Sequence, residues 1–386
     1  MRTKLLAAGA TIERPVPKEA EVSPKRDAWL AKVEPVALRL LDGVPDDVTQ
    51  RSKEQQARWL LAFMLDWHGR EGKVVWWEYF RLRDLSAEDL VHERAGIGGL
   101  KSVGSVGGTA KAPIHRYEFV QQDTDVRVES KLRSAGGDHF GEVDAISQED
   151  RTVDIKKRGD TADLHPEAVF AHKSFDHPEQ AGSLLRLGEY VAENGIEGPG
   201  KYRAARDLLL RLAPGLRGQA SLQPGITMLA AAERIGVSLD ESVIPIQGPP
   251  GAGKTYTAAR MILSLVREGK RVGITANSHK VIRNLLTEVI SAAAATGLRL
   301  ECVHKITEKE NGSLPSLQLT KSNEEALHLL GATCAVGGGT SFFWSRADAH
   351  VSVDVLFIDE AAQMSLADVL AVSQAAESIV LLGDPR

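Results

Sequence analysis

Cysteine is nearly missing: Cys302 and Cys334 are the only two in 386 residues, and they lack the spacing of a metal site or a disulfide framework. Two small buried hydrophobes in a reducing cytoplasm are expected. A surplus of positive charge is missing as well. With 47 Lys and Arg against 52 Asp and Glu, the formal net charge is -5, so any contact with nucleic acid must come from a local basic groove. No stretch approaches the roughly 18 uninterrupted apolar residues of a membrane span, and the apolar start at Leu5, Leu6, Ala7 and Ala8 is too short for a signal peptide. A soluble protein without membrane contact is expected. Aromatic residues are 5% of the chain, yet 43% is hydrophobic and 26% charged, the balance of a folding globular protein. Its length suggests two or three domains of about 150 residues.

What is present changes period along the chain. Residues 1–95 are expected to be helical with an extended, proline-dotted start (Pro15, Pro17, Pro24, Pro35, Pro45) and a short helix over 29–41. Ser52 and Gln55 have capping-box spacing ahead of Trp59, Leu60, Phe63, Met64 and Trp67, which reads as one amphipathic helix. Residues 74–83 and 86–94 read as further helical pieces. Five of the six tryptophans fall in the first 77 residues; at helical spacing they are expected to fill a core in preference to stacking on bases. The glycine-rich segment 96–108 reads as a turn or linker. Short strands at 117–120, 126–128, 141–147 and 151–157 indicate a small β-barrel over 96–170, and a helical stalk or linker is expected over 171–240.

From residue 241 onward, strands at 243–247, 272–276, 298–303, 332–336, 353–358 and 379–382 alternate with helices, which predicts an α/β domain with a doubly wound parallel sheet over 241–386. Pro245 conflicts with a central strand, because it has no N–H to give.

The chemistry gathers in this last region. Gly248, Pro249, Pro250, Gly251, Ala252, Gly253, Lys254 and Thr255 read GPPGAGKT between a strand and a helix. Glycines there let backbone N–H groups approach phosphates, Lys254 reaches the outer phosphates, and the Thr255 hydroxyl ligates Mg²⁺. Tyr256, next on the helix, belongs to the same ATP-binding group. A second apolar strand ends in Asp359, Glu360, Ala361, Ala362 and Gln363. Asp359 is assigned to the metal shell, Glu360 to the attacking water, and Gln363 to the γ-phosphate. A third strand runs into Gly383, Asp384 and Pro385, with Asp384 expected at the nucleotide.

Together these motifs resemble the superfamily 1 helicases, in particular the group that includes the nonsense-mediated-decay helicase and the helicase-nuclease of Okazaki-fragment processing. In that group the three motifs read GPPGTGKT, DEAxQ and GDPxQ. The resemblance covers about residues 240–386 and implies a RecA-like P-loop NTPase domain, with ATP and Mg²⁺ as cofactors and single-stranded DNA or RNA as partner. It also implies ATP-dependent 5′ to 3′ movement and unwinding. Within it, Thr275, Asn277 and Ser278 occupy the place of the motif that contacts the strand backbone, and Thr333, in Gly331-Ala332-Thr333, that of the next strand-end motif. The wording of HRYEF, TANSHKVI and FIDEAAQMSLADVL resembles bacterial fusions of a RecB-like nuclease with such a helicase. Those proteins are much longer, so the resemblance implies an internal piece, with the first RecA-like domain incomplete at its C-terminal end. A second motor domain carrying arginine fingers would then lie elsewhere in the full-length protein. The adenine-reading glutamine of the group has only Gln219, Gln223 and Gln247 as candidates.

Two rival readings come from other classes. Asp144, Asp154 and Lys156 can be stretched into the metal site of a nuclease, although a β-hairpin with solvated polar residues explains them better. The other is a nucleotide-binding interaction module without motor activity.

Overall fold

The computed structural model describes residues 24–172, 177–218, 226–307 and 314–384. Gln219, Gln223, Pro385 and the expected extended start over residues 1–23 lie outside the described residues. The N-terminal helical layer comprises Pro24–Leu41, Lys53–Met64, Trp67–Arg83 and Ala87–Leu90. Ser52 and Gln55 close the capping box ahead of the second helix, but that helix stops at Met64. Trp67 opens a separate one, whose start is fixed by two hydrogen bonds of 2.6 and 2.5 Å from Arg26 to Asp66. The expectation of a tryptophan core is corrected for Trp76 and Trp77, which are 41% and 73% exposed. Leu61 and Leu65 fill the core of this layer together with Leu184 and Leu187 from the helix Pro178–Asn194.

A seven-stranded sheet follows: β1 (Gly96–Gly98), β2 (Lys101–Thr109), β3 (Ala112–Glu118), β4 (Lys131–Ser134), β5 (His139–Ser147), β6 (Thr152–Lys156) and β7 (Ala168–Ala171). Its order is β1-β7-β4-β5-β6-β3-β2 with antiparallel pairing. The glycine-rich segment is therefore two strands and no linker. Only Gly99 and Leu100 separate the two outermost strands in the chain, so the sheet must curl until its edges meet there. Gly99 makes the bend possible: it has φ +66°, and a Cβ on it would lie 2.8 Å from Val120 Cγ1. The expected strand at 126–128 is irregular instead, though Val126 still packs into the sheet's core.

Inside this curl Lys157 is fully buried. Its ammonium donates to the Tyr117 hydroxyl at 3.1 Å and to Leu164 O at 2.9 Å, and Tyr117 also meets His165 Nδ1 at 2.9 Å. Burial pushes the Lys157 amine down, against the pull of Asp163, and pushes the Tyr117 phenol up to about 12. A lysine lowered in the native state loses its proton first there. Between that lowered value and the ordinary 10.5, the unfolded chain holds more protons, so stability rises with pH through this window. Melting temperatures measured from pH 7 to 10 are expected to show this rise in the parent and to lose it in Lys157→Met. At pH 7 the variant is expected to be as stable as the parent or more so, because a buried charge is replaced by an apolar chain of similar length.

The second sheet contains β8 (Val243–Gln247), β9 (Val272–Thr275), β10 (Cys302–Lys305), β11 (Leu317–Thr320), β12 (Val336–Gly338), β13 (Val353–Ile358) and β14 (Ala376–Gly383). All its pairs are parallel, in the order β11-β10-β12-β9-β13-β14-β8. This is the expected RecA-like α/β architecture, with apolar clusters on both sides of the sheet. Two strands sit further along than expected: β10 begins only at Cys302, and β12 only at Val336, after the helix Asn323–Ala332. Cys302 and Cys334 are buried free thiols, both pushed up by burial. Pro245 proves compatible because β8 is an edge. Ser242 O and Gly248 N–H bond to β14, so by the alternation along a strand Pro245 turns its missing donor to the open side. Among the described residues no helix is long and apolar enough to cross a membrane.

Candidate nucleotide site

Because the strands of the second sheet run the same way, the C-terminal ends of β8, β9, β13 and β14 open onto one edge. β8 leads into the loop from Gly248 to Gly253, where Gly251 and Gly253 take φ of +78° and +82°, a conformation most residues avoid. The loop ends on the helix Lys254–Arg267, whose first N–H groups are unpaired within the helix and favour an anion. Ala258, Met261 and Ile262 bury its inner face, leaving Thr255 half-buried and Tyr256 exposed at its first turn. The Arg260 guanidinium lies 3.3 Å from the centroid of the Tyr256 ring and pairs with Glu288.

Lys254 folds back over the loop, donating to Gly248 O at 2.7 Å and Pro249 O at 3.0 Å, and it forms an ion pair with Asp384. Strand order explains that pair. β14 lies between β8 and β13, so Asp384, which follows it, arrives beside the loop. The Gly248 N–H also donates to Gly383 O at 3.2 Å.

β13 delivers Asp359 in a buried position. Its Oδ1 accepts from the Glu360 N–H at 2.9 Å, and its own N–H donates to Thr275 O at 2.9 Å. Burial pushes the carboxyl up, Glu360 and Asp384 push it further, and the Glu360 N–H and Lys254 oppose them. A buried carboxylate among anions is stabilised by a cation. Glu360 has φ +52°, a conformation that costs a residue with a Cβ roughly 1–2 kcal/mol and that concentrates at functional sites. Gln363 closes the short turn Ala361–Gln363. Among the described residues no group of three or more His, Cys, Asp or Glu gathers around a metal position. A phosphate-bound Mg²⁺ needs fewer protein ligands, because phosphate oxygens and water complete its shell, and the Thr255 hydroxyl with the Asp359 carboxylate fits that demand.

Of the four residues expected at nucleic acid, three share this edge. Thr275 ends β9, fully buried, with Oγ1 lacking a hydrogen-bond partner among the described residues. Ser278 caps the helix His279–Ala295 by accepting from Val281 N–H at 3.3 Å. Asn277 Nδ2 donates to Gln363 O at 2.9 Å, a tie to the Ala361–Gln363 turn that sequence reasoning missed. Thr333 is a correction. It caps the C-terminal end of the helix Asn323–Ala332, before β12 begins, and so lies at the opposite end of the strands. The residues that leave the end of β12 are Gly339 and Thr340, and the glycine run 337–339 was the available signal. Also missed were His279 and His304, whose Nδ1 and Nε2 lie 3.1 Å apart at the same edge.

Of the nuclease candidates, Asp154 is otherwise engaged. Asp154, on β6, accepts two hydrogen bonds of 2.7 Å from Arg116, while Asp144 sits exposed at a register shift of the β5–β6 pair. Gln247 ends β8 just before the phosphate loop.

A family model described as AAA domain matches residues 230–386. The DNA replication ATP-dependent helicase/nuclease DNA2 of Saccharomyces cerevisiae is 28% identical over 143 residues, covering 36% of this chain and 9% of that protein. The protein of the same description from Schizosaccharomyces pombe is 29% identical over 191 residues, covering 46% of this chain and 13% of the other. The chain thus spans about a tenth of the length of the curated relatives it matches. Among solved structures, arterivirus nonstructural protein 10, a helicase, in complex with DNA has 15% identity and a TM-score of 0.26, over 36% of this chain and 28% of that one. A crystal structure of arterivirus nonstructural protein 10 has 12% identity and a TM-score of 0.30, over 75% and 47%.

Proposed function

We propose that this superfamily 1 helicase-like chain binds Mg·ATP at the edge formed by β8, β14 and β13, hydrolyses it slowly, and serves as the first motor domain of a longer translocating protein. The observation that carries the reading is the convergence of Lys254, Asp384 and Asp359 from three separate strand ends on one phosphate loop. Loop amides and the N-terminus of the helix Lys254–Arg267 receive the phosphates, and Lys254 exchanges Gly248 O and Pro249 O for phosphate oxygens. Thr255 and Asp359 hold Mg²⁺, which when bound offsets charge on the phosphates. Glu360 orients and deprotonates water, and Gln363 reaches the γ-phosphate.

Single-stranded DNA or RNA would lie across Thr275, Asn277 and Ser278, held by its backbone and not read by sequence. The bond from Asn277 to Gln363 O supports communication between strand and nucleotide. A second RecA-like domain would supply arginine fingers, worth roughly 10³ to 10⁵ in turnover in related phosphoryl transfer, so this chain alone is not expected to unwind. The two buried thiols suit the reducing cytoplasm in which we place it.

Calorimetric titration tests the site. Mg·ATP is expected to bind the parent and to bind Lys254→Ala about ten- to a hundredfold more weakly, because one charge-assisted contact to phosphate is worth roughly 1.5–3 kcal/mol. Equal affinity in the two proteins would sink the assignment. Binding without any turnover, even with single-stranded nucleic acid added, would favour the nucleotide-binding interaction module.

A further inference from the structure

The turn that carries Glu360 and Gln363 runs through Met364 into the helix Leu366–Ser373. Ser365 caps that helix: its Oγ accepts from Asp368 N–H at 3.0 Å and donates to Asp368 Oδ2 at 2.7 Å. The other carboxylate oxygen of Asp368 is held from far away in the chain. His68 Nε2 lies 3.0 Å from Asp368 Oδ1, and because an ionised carboxylate only accepts, Nε2 is the donor. His68 is nearly buried, its side chain 7% exposed, and its ring stacks on His177 at 5.1 Å. Burial pushes the Asp368 carboxyl up, but the bonds from His68 and Ser365 outweigh it and hold the group below its usual range.

The helix that carries Asp368 is itself fixed. Ala367, Leu370 and Ala371 pack into the N-terminal helical core beside Leu61 and Leu65, and Ser183 Oγ donates to Ala371 O at 2.6 Å. One end of the catalytic turn is set by β13. Its other end is set by a helix whose first turn is pinned by a side chain of the N-terminal layer.

We infer that His68 is a positioning residue for the Asp359–Gln363 turn, acting through Asp368 and the Ser365 cap. The inference rests on the nucleotide site proposed above. Without His68, the helix keeps its apolar contacts, its Ser183 bond and its Ser365 cap, but the first turn loses the bond that orients Asp368, and the catalytic turn before it loses one of its anchors.

Amide hydrogen exchange tests this in the full 386-residue chain, with Mg²⁺ and the non-hydrolysable analogue AMPPNP as probe. In the parent, binding is expected to slow exchange at residues 360–365 by at least about tenfold. His68→Ala is expected to bind AMPPNP within about twofold of the parent and to lose that protection. His68→Gln, which can place an amide donor near the same carboxylate oxygen, is expected to regain it. A merely structural role would lower the melting temperature of His68→Ala and leave the protection intact in the folded fraction. Full protection in His68→Ala overturns the inference, and so does a parent that binds AMPPNP without protecting the turn. Failure of the parent to bind AMPPNP sinks the nucleotide site itself, and the role of His68 with it.

Discussion

Glu360→Gln is expected to bind Mg·ATP within about twofold of the parent and to lose turnover by on the order of 10² to 10⁴, the range that a positioned general base contributes. The separation follows from where each residue sits. In the proposed site Lys254, the loop amides and Asp359 hold the phosphates and their cation, whereas Glu360 stands two residues beyond the end of β13, on a backbone already bent to φ +52°. Glutamine preserves shape and keeps a hydrogen-bonding side chain there, so the turn need not rearrange, but it cannot take a proton. Steady-state phosphate release set beside equilibrium titration of the same preparation measures both quantities. Turnover preserved in Glu360→Gln would move the general base elsewhere, and a parallel loss of affinity would make Glu360 a binding residue.

Trp344→Ala should destabilise the region around the second sheet by about 3–5 kcal/mol, the range for deleting a large buried aromatic, and lower the melting temperature by on the order of 10 °C. The indole is fully buried, and its Nε1 donates to Ile274 O at 3.0 Å. Gly273 makes room for it: a Cβ there would lie 3.1 Å from the indole ring. Phe343 meets it edge-on at 4.7 Å. Trp344 therefore supports β9 immediately before Thr275 and Asn277. Trp344→Phe, which keeps most of the buried area and loses the N–H, is expected to cost less than half as much in chemical denaturation. A loss below about 1 kcal/mol in Trp344→Ala would mean that neighbouring side chains collapse into the space.

The candidate nucleotide site was legible because its residues follow one another in short runs. The segment 248–255, the Asp359–Gln363 stretch and Asp384 each follow an apolar strand, and a parallel sheet brings such strand ends to one edge. Contacts between distant segments were not legible. Nothing in the spacing of His68 pairs it with Asp368, 300 positions later, and the bond from Asn277 to Gln363 O depends on β9 and β13 being neighbours. The glycine-rich 96–108 region misled for a different reason. Glycine is a turn signal, but here Gly96, Gly98 and Gly99 allow close packing at β1 and the bend after it, while β2 is a bulged, mostly exposed strand whose pairing with β3 outweighs the weak local preference. Thr333 misled because a helix end and a strand start were read as one strand.

Pro245 has a consequence outside catalysis. β8 is the last strand of its sheet, and an exposed last strand offers a row of backbone groups on which another chain can polymerise. The residue midway along that row has no hydrogen to give, and its ring occupies the line where a neighbour would lie. A substitution such as Pro245→Val would keep the pairing with β14 and the phosphate loop beyond it, yet would complete a template for edge-to-edge aggregation. The proline that looked like a flaw in the strand thus blocks edge-to-edge pairing at the strand that leads into the candidate nucleotide site.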